Sequence, residues 1–420
     1  MPPLKSGRSP WAIGCAVVAM ATAVTGPAWA DPAPSFEALL ERIGLTPTTL
    51  EADALLDAAE ARVRQARVRP NPELGLEAEN AFGSGPFSGY DNAETTLSLS
   101  QDLELWGRRG ARVEVAKAEA GAAVLRRDLA RVEAANRLAL VYAEAEAAER
   151  RFLLAEEALA VTIADTRAAL ILVEEGREPL LLGIQGEAEA AGARANRDEA
   201  YAERDAAFAR LTAVAMLPTP VTSIGAGLLE RTPASIAAIA AIAGTAPEVR
   251  VAEAQRAAAE SRIEVERIRA RPDVRASVGV RRYEAEDAAA LTFGVSMPLP
   301  LFDRNRGDID AARAEFRAAE ARLMRARQEA EADRNAAGAR LRASASRVSA
   351  TDAGVTAAEE AYRLSRIGFE AGRISQLELR SSRTALINAR NAAVDARLAR
   401  VRAEIELARL QGRAPFGTPQ

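Results

Sequence analysis

The chain contains the same passage twice, and this internal repeat limits the folds that it can adopt. The stretch LSLSQDLELWGRRGARVEVAKAEA at 97–120 aligns without a gap with FGVSMPLPLFDRNRGDIDAARAEF at 293–316, at an offset of 196 residues. Further matches, at an offset of 200 in the early part and 196 later, extend the two copies over residues 58–211 and 258–407. Self-similarity held over so many segments indicates two structurally equivalent units.

The repeat and the composition shifts around it divide the chain into five segments. We predict a signal peptide at 1–30, a first repeat at 31–217, a proline- and glycine-rich connector at 218–246, a second repeat at 247–412 and a tail at 413–420. The signal peptide is indicated by two basic residues, an apolar run at 11–24 and the A-x-A site Ala28-Trp29-Ala30. We therefore expect an exported chain whose single cysteine, Cys15, is removed.

Each copy contains two stretches in which apolar and polar residues alternate, the pattern of strands with one apolar face. The predicted strands are Glu73–Phe82, Thr95–Leu103, Asp273–Tyr283 and Leu291–Met297. On this alternation Leu97, Leu99, Phe293 and Val295 share the apolar faces. In an exported chain, apolar-out and polar-in strands of about 10 residues are typical of an outer-membrane barrel, which makes these four residues candidates for contact with lipid.

Two proline-free stretches of 64 residues, Arg112–Glu175 and Asp308–Ala371, follow the strand pairs. As continuous helices each would be roughly 95 Å long. A second helical stretch follows in each copy, at 180–217 and 375–412, after a glycine that ends the first. Each copy therefore predicts a long helical hairpin. The preceding strand-to-helix turns are expected at Gly107 and Gly110 in one copy, and at Pro300 and Gly307 in the other.

The resulting fold class is mainly α with a small β part. Four strands cannot close a barrel, and open strand edges are not tolerated in lipid. A membrane barrel must then be shared between chains, and three chains would supply twelve strands. The long alanine-rich helices would form an α-barrel attached to it.

The residue inventory excludes several function classes. The chain has no histidine, no glycine-rich phosphate loop after a strand and no metal-ligand spacing, and the mature chain has no cysteine. Carboxylates alternate with arginines along the helices, as on solvated helix faces. We therefore predict no catalytic residue, no cofactor and no resident metal, and the net charge of −4 indicates no nucleic-acid partner.

Four stretches carry a resemblance to a known family. They are RPNPELGLEAEN at 69–80, ETTLSLSQDLELWGRRGARVEVA at 94–116, SMPLPLFDRNRGDIDAARAE at 296–315 and GFEAGRISQLELRSSRTALINAR at 368–390. The chain resembles the TolC family of outer-membrane efflux proteins over essentially its whole mature length. The Asn-Pro-Glu-Leu and Leu-Glu-Leu-Trp-Gly-Arg-Arg stretches are most similar to the CzcC-type branch, which serves heavy-metal efflux.

The resemblance implies a function and a set of partners. It implies an outer-membrane channel that extends into the periplasm, conducts substrate passively and works as a homotrimer with a periplasmic adaptor protein and an inner-membrane RND-type pump. It implies heavy-metal cations as substrate. A channel for drug export or type I protein export remains an alternative, as does a soluble periplasmic coiled-coil scaffold.

The resemblance also implies roles for the tips of the helical hairpins. In the family these tips close the periplasmic entrance and meet the adaptor. The matching residues here are Gly176, Arg177, Glu178, Gly372, Arg373 and Glu378. Three copies of Glu378 would form a ring of carboxylates that favours cations, although Glu378 could equally be an ordinary solvated helix residue.

Overall fold

The structure is a computed structural model that describes residues 32–225, 227–231 and 244–416. The predicted signal peptide and parts of the predicted connector and tail lie outside these residues. The helices are α1 (Phe36–Glu41), α2 (Pro47–Ala66), α3 (Arg108–Glu174), α4 (Leu180–Val214), α5 (Pro247–Arg269), α6 (Arg306–Glu370) and α7 (Gln376–Leu410). The strands are β1 (Glu73–Glu79), β2 (Glu94–Asp102), β3 (Arg275–Tyr283) and β4 (Ala288–Ser296). The mainly helical fold with a small β part is confirmed.

The two longest helices are α3, with 67 residues, and α6, with 65. Both begin earlier than predicted. Gly107 does form the first turn, with φ 79°, but Gly110 and Gly307 lie inside helices. The second turn instead uses Asn305 at φ 54°, because asparagine is one of the few residues that enter the left-handed region at low cost.

The four strands form one antiparallel sheet in chain order. Strand β1 ends at Glu79, before the predicted Phe82, because Asn80 and Phe82 have positive φ angles of 55° and 58° and leave the extended conformation. Strand β4 begins earlier than predicted, at Ala288. Its first three alanines carry no alternation, but their backbones continue the ladder with β3.

The helices pack in two sets that continue from the sheet. Next to the sheet the order of neighbours is α2, α3, α5 and α6, and farther away it is α4, α3, α7 and α6. Alanines at the contacts allow close approach of the helices. Between the two sets lies the main hydrophobic core, which includes Phe36, Leu138, Tyr142, Leu211, Leu228 and Val401. In the described ranges, we find no helix with both the length and the apolar character needed to cross a membrane.

Candidate functional site

The sheet has one continuous apolar face. The register places Leu74, Leu99, Val278 and Phe293 in one row across the four strands, and Leu76, Leu97, Val280 and Leu291 in the next. These side chains are exposed, up to 78% for Phe293. Val295, at 77%, lies on the same face. The structure therefore brings together the four residues that the alternation selected, on a surface that no part of the described chain covers.

The opposite face of the sheet is polar and has small residues in its middle. Gly75, Ser98, Gly279 and Thr292 form one row across the strands. A Cβ atom at Gly279 would lie 2.7 Å from the carbonyl oxygen of Leu97 and 2.8 Å from Oγ1 of Thr292. A side chain at Gly279 would therefore clash with β2 and with Thr292, which explains the glycine at this position.

Two arginines of β3 bridge the other strands on either side of this row. Arg275 lies 2.8 Å from Glu73 and 2.7 Å from Asp102. Arg281 lies 2.8 Å from Glu79 and 2.9 Å from Glu94. With Glu77, which makes no ion pair in the described chain, the polar face carries five carboxylates against two guanidinium groups. Such a face favours cations over anions.

Both helical hairpins turn through the same glycine-arginine motif. Gly176 and Gly372 have φ angles of 71° and 65°. The arginine that follows, Arg177 or Arg373, donates its backbone N–H to the carbonyl five residues earlier, at 2.9 Å and 2.8 Å. This is the Schellman arrangement, which requires a left-handed residue after the helix end. Helix termination thus explains the repeated glycine, whereas the arginine contributes only its backbone N–H.

The two tips differ in how the second helix of the hairpin begins. Ser375 and Glu378 form a capping box, in which the Ser375 N–H donates to Glu378 Oε2 at 2.8 Å and the Glu378 N–H donates to Ser375 Oγ at 3.3 Å. Helix α4 follows Glu178 and Pro179 and has no side-chain cap. The Glu378 carboxylate therefore stabilises its own helix end.

A buried ion-pair cluster near the tips was not predicted. Arg383 of α7, which is 7% exposed, pairs with Asp165 of α3 and lies 3.2 Å from Glu189 of α4. Arg380 lies 2.8 Å from Glu189. Burial raises the pKa of Asp165, and the charge and hydrogen bond of Arg383 oppose that shift. The cluster joins both hairpins roughly 15 Å from the first turn.

Two carboxylates and one arginine hold the described part of the connector. Glu146 of α3 accepts the N–H of Leu229 at 3.1 Å, and Glu149 accepts the N–H of Ile224 at 2.9 Å. Arg400 of α7 donates to the Leu229 carbonyl at 2.9 Å. Glu146 is 2% exposed, and burial raises its pKa although the connector N–H groups oppose that shift. The connector is thus fixed to one helix of each repeat.

We expect Gly227→Ala to destabilise the chain by about 1–3 kcal/mol, the usual cost of overpacking. A Cβ atom there would lie 1.9 Å from the Glu146 carboxyl carbon, so the carboxylate and its connector bond must move. Gly225→Ala is the matched control, because nothing lies within 4 Å of its Cβ position. Thermal unfolding of the purified variants measures the difference, and equal melting temperatures would contradict the contact.

The described part of the chain holds no group of three or more histidine, cysteine or acidic side chains arranged to bind a metal ion. An open groove of about 880 Å³ lies between α2, α3, α5 and α6. The groove is lined by alanines, arginines and glutamates, among them Arg62, Glu119, Arg262 and Glu315.

Comparison with protein families and curated proteins finds clear relatives. The family model described as outer membrane efflux protein matches residues 44–215 and 239–413. The nickel-cobalt-cadmium resistance protein NccC of Alcaligenes xylosoxydans xylosoxydans is 39% identical over 309 residues, which is 73% of this chain and 70% of that protein. The nickel and cobalt resistance protein CnrC of Cupriavidus metallidurans is 38% identical over 300 residues, 71% of each chain.

Solved structures share the fold at lower sequence identity. The channel CusC aligns with a TM-score of 0.75 at 19% identity, over 90% of this chain and 92% of that one. The open state of the MtrE outer membrane channel of Neisseria gonorrhoeae aligns with a TM-score of 0.75 at 22% identity, over 91% and 89%.

Proposed function

Because the chain belongs to the outer membrane efflux protein family, we propose that it is the outer-membrane channel of a tripartite efflux system and that it conducts heavy-metal cations passively. The family and the heavy-metal branch that the sequence motifs predicted are confirmed. The main observation that supports a cation as the substrate is the acidic polar face of the sheet, which has five carboxylates and two arginines. Such a lumen would attract hydrated cations without stripping their water.

The proposed assembly is a homotrimer in the outer membrane that extends into the periplasm. Strands β1 and β4 each have an edge that pairs with no strand of the described chain. An open edge in lipid would leave backbone groups without partners. Three chains would join these edges into twelve strands, with the exposed apolar rows against lipid and the polar rows inside.

The proposed partners are a periplasmic adaptor protein and an inner-membrane RND-type pump, which would deliver the cation to the helical tube. No catalytic step is needed for passive conduction. The two tips are the proposed gate and adaptor contact. Arg373 makes no ion pair among the described residues, and Arg177 has only Glu175 at 3.4 Å, so both guanidinium groups are available to a partner.

A complementation experiment tests the substrate. The gene would replace the channel gene of a metal-efflux system whose pump and adaptor remain, and growth would be measured in nickel, cobalt and cadmium. Restored metal resistance supports the proposal. Restored resistance to dyes or antibiotics alone, in a drug-efflux host, would instead favour a drug channel.

We expect Glu378→Gln to weaken the cation selectivity of the channel and its block by added divalent cations. Glutamine at this position keeps the capping box, so the change removes charge while the helix end is kept. Glu119→Gln is the control, because the Glu119 carboxylate is already paired with Arg262 at 2.5 Å. Reversal potentials in planar bilayers measure the effect. An unchanged selectivity in Glu378→Gln would leave Glu378 with its capping role alone.

A further inference from the structure

The internal repeat extends to individual ion pairs within each copy. Arg131 of α3 lies 3.1 Å from Asp53 of α2. At the offsets of 196 and 200 the equivalent residues are Arg327 of α6 and Glu253 of α5, which lie 2.7 Å apart. The same charges therefore join the same two helices in both copies. Equivalent positions can thus be expected to make equivalent contacts.

A second set of ion pairs joins the first copy to the second. These pairs lie along the seam where β2 and α3 meet β3, α5 and α7. They are Arg108–Asp273 at 2.6 Å, Arg262–Glu119 at 2.5 Å and Arg151–Asp395 at 2.6 Å. Applying the same offsets to these residues gives Arg304 with Glu73, Arg62 with Glu315, and Arg347 with Glu199. In each case the sign of both charges is retained.

These equivalent residues are not paired with each other in the chain. They lie on its opposite sides, since β1, α2 and α4 are at one edge and β4 and α6 at the other. Arg304, Arg62, Arg347 and Glu199 make no ion pair within the described ranges. Glu315 reaches Arg262 only at 4.0 Å, and Glu73 uses one oxygen for Arg275. The charged residues that a second seam would need are thus present, and they are available to pair with another chain.

We propose that a second copy of this chain completes these pairs, so that the seam between chains repeats the seam within each chain. This inference rests on the trimeric channel proposed above and specifies its contacts. Arg304 then pairs with Glu73 of the next copy, Arg62 with Glu315, and Arg347 with Glu199. Arg62 and Glu315 both line the groove between helices, and they lie on α2 and α6, the two outer helices of the set next to the sheet.

Apolar residues at the end of the sheet fit the same arrangement. Trp106 packs at the seam within the chain, where its Nε1–H donates to the Pro272 carbonyl at 3.2 Å. The equivalent of Trp106 is Phe302, which is 99% exposed. The equivalent of Pro272 is Pro72. Phe302 therefore covers Pro72 of the next copy.

The faces of the open strand edges match in the same way. Gln101 lies opposite Ala276 in the β2–β3 ladder, and the Leu103 N–H donates to the Val274 carbonyl at 2.9 Å. At the sequence offsets, the equivalent residues are Met297 with Leu76 of the next copy and Leu299 with its Leu74. The hairpins within the chain depart from these offsets by two residues, because Leu99 lies opposite Leu74 whereas its equivalent Val295 lies opposite Ala276. Such a difference of two residues keeps the same side chains on the same face. Both pairs join apolar residues on the apolar face. A shift of one residue would instead place leucines on the polar face.

Cross-linking tests the proposed contacts between chains in the full-length protein, with Cys15 replaced by serine. In Arg347→Cys with Glu199→Cys, a short bismaleimide should join three chains into a covalent trimer on a denaturing gel. The control pair Arg151→Cys with Asp395→Cys sits at the equivalent contact within the chain and should leave a monomer. If native mass spectrometry finds a trimer but the chains do not cross-link, the proposed pairing of Arg347 with Glu199 is wrong. If native mass spectrometry finds only a monomer, the proposed trimeric channel is wrong.

Charge reversal provides a second test at the same pair, since neither residue has another ion-pair partner in the part of the chain that the structure describes. Arg347→Glu should lower the temperature at which the detergent-solubilised trimer dissociates, because it faces Glu199 of the next copy. Adding Glu199→Arg should restore that temperature. Failure of the double variant to recover, while each single variant is destabilised, contradicts the pairing.

Discussion

Leu99→Arg is expected to prevent or strongly impair insertion of the sheet into the outer membrane. Leu99 lies on the apolar face between Leu74 and Val278, and it is 47% exposed in the single chain. An arginine near the bilayer midplane costs about 2–4 kcal/mol per chain, and three chains carry the change. Heat-modifiable migration and the amount of protein in outer-membrane fractions measure the loss.

Ser98→Arg is the matched control for this substitution. Ser98 is the next residue along β2, on the polar face, where its neighbours are Gly75 and Gly279. An arginine there has room above two glycines and faces carboxylates at both ends of the face. We expect normal insertion with a lower cation conductance. Equal damage from both substitutions would show that the two faces are wrongly assigned.

Arg383→Ala is expected to loosen the contact between the two hairpins near the tips. The substitution leaves Asp165 without its arginine in a partly buried position, and Glu189 keeps only Arg380. Removing one partner of a buried pair costs about 3–5 kcal/mol, and partial exposure of both acids places the expected loss near the lower value. A loss of about 3 kcal/mol in the free energy of this contact changes the ratio of separated to joined hairpins about 100-fold.

Single-channel conductance in planar bilayers measures this change, and a higher open probability is the expected result. Arg390→Ala is the control, because Arg390 pairs with Glu157 and Glu359, which are half exposed, and such pairs contribute about 1 kcal/mol or less. If Arg383→Ala and Arg390→Ala have the same small effect, the buried cluster does not hold the tips.

The long helices and the strand pairs were predictable because each follows from a local pattern. Proline-free runs predicted α3 and α6, and alternation predicted the faces of the sheet. The helix starts were wrong because a glycine can either break a helix or lie within it, and the sequence around Gly107 and Gly110 does not distinguish the two. Only the backbone angles show that Gly107 alone is left-handed.

The tips were predictable in part. Gly176 and Gly372 were expected to end the helices, and the Ser-x-x-Glu spacing of Ser375 and Glu378 is itself a capping signature. The cluster around Arg383 could not be predicted, since it depends on three helices whose relative rotation no local pattern specifies. Arg383 also looks like any other arginine among the many along α7.

The ion pairs near the tips make the two kinds of seam mechanically unequal. Within a chain, the buried Arg383–Asp165 pair joins the two hairpins, and the exposed Arg390–Glu157 pair adds a weaker contact. At the equivalent positions between chains stand Glu187 with Ala361 and Arg194 with Ala353, which are not pairs of opposite charge. In the proposed trimer, the contact between neighbouring chains near the tips would therefore be weaker than the contact between the two hairpins of one chain. We therefore expect the hairpins of each subunit to move together while the Arg383 cluster is intact, and the tips to separate first between subunits.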